Sequence, residues 1–324
     1  MCAPLRRVKI VEPQFVAIWY NSRDMMRTVE EIGAKMDALG LWKLLEPYNF
    51  AVKPRGTVFP YFCTVLKGER QPIKVRFLML EGWQTLHDYV RTRIDRNFGF
   101  YSTPVEMPHL ELVILEDGSM KLFRHDTGYM PIEANEAQRK LAVRILWEAY
   151  GVMLRVEGDP KLPMKFSDEK AIFARVETAA EAWEDRPLEI PDPPPHTEKV
   201  SFPKADIKAA QDLPFVKEDV LELDFGLLPN VMTKEARPRC VYELKAVDPK
   251  TGEVAIASRV SIHPEAGLKG MWESMPVQVL KELVRRGKVP GELKTRSGRV
   301  FRLLRPLCME LPFKLSLHDR LQSF

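Results

Sequence analysis

The sequence predicts two mixed α/β domains: an α+β domain in the N-terminal half and an α/β domain, with a mixed sheet and flanking helices, in the C-terminal half. The chain has 324 residues, which is enough for two cores of ordinary size. Helical and strand-like patterns alternate in both halves. Between them, five prolines from Pro187 to Pro195 are typical of an extended, semi-rigid spacer. We therefore assign residues 1–185 to the first domain, 186–203 to a proline-rich linker and 204–324 to the second domain.

The first domain opens with a helix that Ser22 caps and Gly40 ends, because apolar residues recur at helical spacing between them. Two strands are predicted at residues 58–66 and 73–80. The second strand is apolar on both faces, so we expect both faces to be covered. A helix follows at residues 82–95.

A β-hairpin and a long helix complete the first domain. The hairpin spans residues 110–124 and turns at Asp117-Gly118, a dipeptide that favours tight turns. The helix spans residues 135–155. Because hairpins join several of the strands, we expect a largely antiparallel sheet.

The second domain begins with a short helix at residues 205–211. Six elements are then predicted: a strand at residues 220–225, a β-hairpin at 240–263, a helix at 271–286, a strand at 292–297, a helix at 297–311 and a strand at 313–317. The hairpin turn, Asp248-Pro-Lys-Thr-Gly252, has an acceptor side chain, a fixed φ and a glycine where a turn needs them. Pro306 should divide the last helix into two pieces.

This order of elements resembles the core of retroviral-integrase and transposase domains, which have a ribonuclease H-like fold. In that family, carboxylates on the first strand, at the end of the fourth strand and on a later helix bind two metal ions. The resemblance places Asp224 at the first metal position, but Ser297 and Gly298 stand where the second Asp is expected. Two metal ions need several acidic oxygens. The resemblance therefore implies a degenerate domain without catalysis.

A site for a single Mg²⁺ is the alternative that would retain a metal-dependent nuclease. Glu222 and Asp224 share a strand face because side chains alternate along a strand. Asp248 or Asp319 would then supply a further carboxylate. The competing interpretation is that Glu222 and Asp224 are polar residues on the solvent side of a strand whose apolar residues face the core. On that interpretation the protein needs no cofactor.

The chain also resembles uncharacterised bacterial proteins that contain a domain of unknown function. The matching motifs are residues 247–252, 292–297 and 318–321. Members of that group usually carry an Asp where Ser297 or Gly298 stands. The resemblance covers the last 120 residues well, and it implies a family without implying an activity.

Basic residues are concentrated near the C-terminus and predict a partner rich in negative charge. Residues 281–324 contain eleven Lys and Arg against four acids, a net charge of +7 in a chain whose total is +4. Lys281 and Arg285 share one helix face, and Arg299, Arg302 and Arg305 recur every third position on the next helix. If the two faces adjoin, they suit a phosphate backbone. The alternatives are an adaptor that binds an acidic protein and an ordinary solvated helix face.

Other sequence features exclude several classes of protein. No phosphate-binding glycine motif and no membrane-spanning apolar stretch occurs, and no apolar segment follows the basic N-terminus, so we expect no signal peptide. The four scattered cysteines indicate reduced thiols in a cytoplasmic protein. The histidines that precede an Asp, His87, His125 and His318, lack the spacing typical of metal sites, and we interpret them as structural.

Overall fold

The computed structural model describes residues 28–38, 40, 50–67, 71–94, 107–168, 170–179, 182–193, 198–262 and 265–324. Over these residues the chain forms two mixed sheets, one of eight strands and one of five, each with its own hydrophobic core. No helix in the described ranges is long and apolar enough to cross a membrane.

The first sheet has the strand order β6-β5-β4-β3-β2-β1-β7-β8, and every neighbouring pair is antiparallel except β1 and β7. Its strands are β1 Phe50–Lys53, β2 Tyr61–Lys67, β3 Ile73–Glu81, β4 His109–Leu115, β5 Met120–His125, β6 Ile132–Glu133, β7 Ala171–Ala179 and β8 Ala182–Glu189. Its helices are α1 Val29–Ala38, α2 Gly82–Ile94 and α3 Glu136–Gly158. The predicted helix start at Ser22 lies outside the described residues.

Alternation along the strands divides the first domain into two apolar layers. On β4, Leu110 and Leu112 point into a core that α1 and α3 cover. Asn135 caps α3 in a capping box, which starts the helix where the sequence places it. The opposite face of the sheet packs against α2 through a second apolar cluster. His109 and Glu111 lie on that opposite face, because they alternate with the leucines.

The edge of the first sheet extends into the segment assigned to the linker. In β8, Arg186 lies opposite Ala174 and Glu189 lies opposite Ala171. Residues 186–189 therefore belong to a strand of the first sheet, although the sequence places them in the linker. Pro187 fits there because β8 is an edge strand, where a missing N–H breaks no ladder.

The second sheet has the strand order β11-β10-β9-β12-β13. Strand β9 is parallel to β12, which is parallel to β13, whereas β10 is antiparallel to β9 and β11. The strands are β9 Phe215–Met232, β10 Cys240–Val247, β11 Val254–Ser261, β12 Val289–Thr295 and β13 Lys314–Leu317. The helices are α4 Lys204–Gln211, α5 Gly267–Arg286, α6 Gly298–Leu304 and α7 Leu307–Glu310. His263, the predicted end of the hairpin, lies outside the described residues.

The helices of the second domain cover one face of its sheet. Leu221, Leu223 and Phe225 of β9 are buried in a core shared with α5 and α6. The intervening Glu222 and Asp224 lie on the other face. Pro306 separates α6 from α7, as the sequence predicts, because proline cannot continue the helical hydrogen bonds.

The two domains meet where the loop after β5 lies against the start of β10. The Met130 N–H donates to Pro238 O and the Cys240 N–H donates to Gly128 O, each at 3.0 Å. An isolated antiparallel bridge joins Tyr129 to Arg239. These contacts extend backbone pairing from one domain to the other.

Candidate functional site

Asp224, the acid on the first strand of the second domain, is paired with a cation of the chain itself. Strands β9 and β12 are parallel neighbours, with Glu222 opposite Lys294. Two residues farther along the chain from Lys294, just after the end of β12, Arg296 lies beside Asp224, and its Nη2 donates to Asp224 Oδ2 at 2.7 Å. A guanidinium therefore stands at the end of β12, one residue before Ser297.

The ion pair with Arg296 limits what Asp224 can bind. Asp224 uses one carboxylate oxygen to accept from Arg296, and both side chains are largely shielded from solvent, 18% and 32% exposed respectively. A divalent ion at Asp224 would lie beside a positive charge in a partly buried setting, where repulsion is stronger than in water. The arrangement stabilises the contact between β9 and β12. Asp224 belongs to no group of three potential metal-binding side chains in the described ranges, so a metal ion would meet a single carboxylate that is already paired with a cation.

Glu222, the other acid on this face, holds the C-terminal end of the chain. It is 3% exposed, and its Oε2 accepts from the Ser323 N–H at 2.7 Å. Burial acts to raise the pKa of Glu222, but the hydrogen bonds from Ser323 and Gln322 outweigh it and lower the pKa below its ordinary value. Leu321 is buried beside it. Glu222 thus anchors the last residues over the sheet.

Asp248 forms part of the hairpin turn that the sequence predicts. Its side chain accepts from the Lys250 N–H at 2.8 Å, and its carbonyl accepts from the Gly252 N–H at 2.8 Å. Val247 lies opposite Glu222, so Asp248 lies past Glu222, on the side away from Asp224. Asp319 is exposed. Within the described ranges, no group of three potential metal-binding side chains includes any of these acids.

Two of the predicted nucleic-acid-binding residues hold the segment that precedes the second domain. Arg299 Nη2 lies 2.9 Å from Glu198 Oε1, and Arg302 Nη2 lies 4.0 Å from Glu198 Oε2. The guanidinium of Arg299 also stacks 4.0 Å from the ring centroid of Trp272, and its side chain is 16% exposed. Partial burial acts to raise the pKa of Glu198, but its hydrogen bonds and these two cations lower it below the ordinary value. A ligand of Arg299 must therefore compete with Glu198.

The other predicted residues remain open to solvent. Lys281 and Arg305 are exposed, and neither forms an ion pair with another described residue. Arg285 pairs with Glu282, but its side chain is 68% exposed. Along α5, Lys281 lies nine residues beyond Trp272, or about 13 Å farther along the helix. The structure thus brings Arg299 and Arg302 together on Glu198 and sets Lys281 and Arg285 apart from them.

Sequence reasoning missed a buried polar cluster in the first domain. His125, interpreted as structural, lies directly opposite His109, and its Nε2 lies 2.6 Å from Glu111 Oε2. Burial and the neighbouring His125 lower the pKa of His109 to about 3. Burial would raise the pKa of Glu111, but the hydrogen bond with His125 and the charge of Arg76 lower it to about 2. The signal was available in the hairpin, because the turn at Asp117 fixes which residues of β4 and β5 face each other.

Comparison with known proteins gives one match, to the second domain. Residues 206–324 match the model of a family described as Domain of unknown function (DUF6930). Neither the curated proteins nor the solved structures contain a match to the chain. A domain of unknown function therefore accounts for the C-terminal part of the chain, over nearly the same residues as the second sheet and its helices.

Proposed function

We propose that this protein is a nucleic-acid-associated module without catalytic activity, whose second domain has a ribonuclease H-like arrangement. The ion pair between Asp224 and Arg296 is the observation that carries the proposal. It places a protein cation against Asp224 and one residue before Ser297, the position where a nuclease of this arrangement needs a second acid.

The order of elements supports the ribonuclease H-like arrangement. From β9 to β13 the order is a strand, a hairpin, a helix, a strand, a helical segment and a final strand. The resemblance rests on this order. The first and fourth strands are adjacent and parallel. Residues at their ends therefore lie side by side, as Asp224 and Arg296 do.

The exposed cations favour nucleic acid as the partner. Lys281, Arg285 and Arg305 present side chains to solvent on a segment that carries more positive than negative charge. Exposed Lys and Arg residues release counterions when they contact phosphates, and this release favours binding at low salt. We assign the phosphate contacts to these three residues, and we assign Arg299 and Arg302 to holding Glu198.

An adaptor that binds an acidic protein segment is the second candidate. The observation in its favour is that Arg299 and Arg302 already bind a carboxylate, that of Glu198, beside the ring of Trp272. An acidic peptide would bind there in place of Glu198, whereas a nucleic acid would bind mainly through Lys281, Arg285 and Arg305. The two candidates therefore depend on different residues.

The free thiols support a cytoplasmic location for this module. Cys63, Cys240 and Cys308 are free, and burial raises the pKa of Cys240 to about 12 and that of Cys308 to about 11. Thiols with such pKa values are unreactive at neutral pH.

The experiment is a binding titration of the full chain with labelled single- and double-stranded DNA and RNA, at several salt concentrations, with and without Mg²⁺. The test variant reverses Lys281, Arg285 and Arg305 to Glu. The control variant reverses three exposed lysines of the first domain, Lys121, Lys161 and Lys170, and so has the same change in net charge. If the three cations contact phosphates, the slope of log K against log salt concentration on duplex DNA should be shallower by about 2.7 in the test variant.

Three other outcomes would refute the proposal. Equal losses in the two variants would show that net charge alone attracts the nucleic acid. Binding only to an acidic peptide would favour the adaptor. Cleavage of the probe in the presence of Mg²⁺ would restore the nuclease alternative, and that cleavage should then depend on Asp224.

A further inference from the structure

A buried cluster of two histidines and a glutamate lies in the first domain, far along the chain from Asp224 and Arg296. His109 and Glu111 are two residues apart on β4, and His125 on β5 is the register partner of His109. The three residues are 0%, 3% and 5% exposed, respectively. Each offers one ligand atom, and these atoms all lie within 4.8 Å of one another.

Hydrogen bonds prepare His109 to act as a ligand. Its Nδ1 lies 2.7 Å from Met107 O, a backbone acceptor, so the proton of the neutral ring resides on Nδ1. The lone pair is therefore on Nε2, which is buried and has no hydrogen-bond partner in the described chain. Metal-binding histidines are commonly fixed in this way, with one ring nitrogen donating to a carbonyl and the other bound to the metal.

An ion pair and a hydrogen bond hold the remaining two residues. Arg76 binds Oε1 of Glu111, which leaves Oε2 directed at His125. His125 Nδ1 is also buried and without a partner among the described residues. Buried polar atoms are nearly always hydrogen-bonded. The unpartnered Nε2 of His109, in a cluster of three potential ligands, therefore points to a missing ligand, and His125 would bind it through Nε2 in place of the hydrogen bond to Glu111.

We propose that His109, Glu111 and His125 bind one divalent transition-metal ion, for which zinc is the best fit. Two imidazoles and one carboxylate are a donor set of zinc sites, with a fourth position left for water. Calcium and magnesium are excluded because they require mostly oxygen ligands. Tetrahedral zinc separates its ligand atoms by about 3.3 Å. Glu111 Oε2 and His125 Nε2 are 2.6 Å apart and the three ligand atoms lie within 4.8 Å of one another, so side-chain rotation must bring them to that spacing.

The surroundings indicate a structural role for the ion. Leu80 of β3 lies opposite His109, and Leu78 lies opposite Glu111, so apolar side chains line the cluster. All three ligands are buried, and an ion held by them would fasten β4 to β5. The site would therefore stabilise the first domain rather than act on a substrate.

The test measures zinc binding by the full chain. The protein is stripped with a chelator, dialysed, titrated with Zn²⁺ against a chromophoric competitor, and analysed for metal by mass spectrometry. We expect one zinc per chain. His109→Gln and His125→Gln should each weaken binding at least about 100-fold, because loss of a direct ligand exceeds the loss caused by changing its hydrogen-bond partner. His87→Gln and His318→Gln, outside the cluster, are the matched controls and should bind as the natural chain does.

Two further measurements keep the proposal open to refutation. Cobalt(II) in place of zinc should give the intense visible bands of a four-coordinate ion, and His109→Gln should abolish them. Zinc should also raise the melting temperature of the natural chain but not that of the variants. If His109→Gln does not fold, Glu111→Gln provides the same comparison. Stoichiometry well below one, or equal binding by cluster and control variants, would overturn the proposal.

Discussion

Glu198→Gln is the change that best separates the two basic regions of the second domain. The Glu198 carboxylate lies between Arg299 and Arg302, and the substitution removes its charge while keeping its size. Both guanidinium groups then lose the negative charge of Glu198. We expect the variant to bind duplex DNA more tightly than the natural chain, because Glu198 then no longer competes with phosphates as an anion for the two guanidinium groups.

The structure sets the size of this gain. Each additional phosphate contact steepens the salt slope by about 0.9 on duplex DNA. Arg302 is 37% exposed and becomes available directly, whereas Arg299 is 16% exposed and stays against Trp272. The slope should therefore steepen by between about 0.9 and 1.8. At the upper value, the advantage of the variant falls about twelvefold between 50 and 200 mM salt.

Fluorescence anisotropy with a labelled duplex measures both affinity and slope. Glu292→Gln is the control, because Glu292 pairs with Lys314 rather than with Arg299 or Arg302 and the substitution changes the net charge equally. Parallel salt plots for the two variants would refute our assignment of Glu198 as a competitor for phosphate. A gain for a glutamate-rich peptide but not for DNA would favour the adaptor.

Further predictions concern the stability of the second domain. Asp219 is buried and binds Arg286 through both guanidinium nitrogens, so Asp219→Asn should lower the free energy of unfolding in urea by about 3 kcal/mol. Burial acts to raise the pKa of Asp219, but Arg286 lowers it below its ordinary value. The stability from this pair is therefore present at neutral pH and lost as pH falls below about 4, and the Asn variant should lose less on acidification. Gly291→Ala should lower the free energy of unfolding by about 3 kcal/mol, because its Cβ would overlap the Lys217 carbonyl. Gly298→Ala should leave that free energy unchanged or raise it by up to about 1 kcal/mol. Equal losses in the two variants would contradict this explanation.

Elements fixed by local chemistry were predictable from the sequence. The hairpin of β10 and β11 turns at Asp248–Gly252 because the turn residues themselves supply the acceptor and the positive φ of Gly252. Pro306 divides the last helical segment for an equally local reason.

Elements that depend on distant partners were not predictable. Strand β1 pairs with β7, more than a hundred residues away, and no local pattern indicates this. Strand β8 has a polar sequence with Pro187 in it, so its composition resembles that of a linker, although pairing with β7 makes it a strand.

The candidate site likewise combines features fixed by local sequence with features set by the packing of distant residues. The sequence places Asp224 on a strand, but Arg296 reaches it only through the register of two parallel strands, which packing sets. The pairing of His109 with His125 is different, because it follows from the turn between β4 and β5. Extending the hairpin register outward from Asp117 would have brought these two histidines together on the sequence alone.

The backbone pairing between the domains bears on how the protein opens. His125 is in the buried cluster, and its neighbour Asp126 binds Arg237, in the segment before β10. With Gly128 and Met130 also bonded across the boundary, local opening of this loop exposes backbone groups of both domains at once. We therefore expect the amide hydrogens around Cys240 to exchange with solvent at rates set by the first domain as well as the second, as members of one cooperative unit.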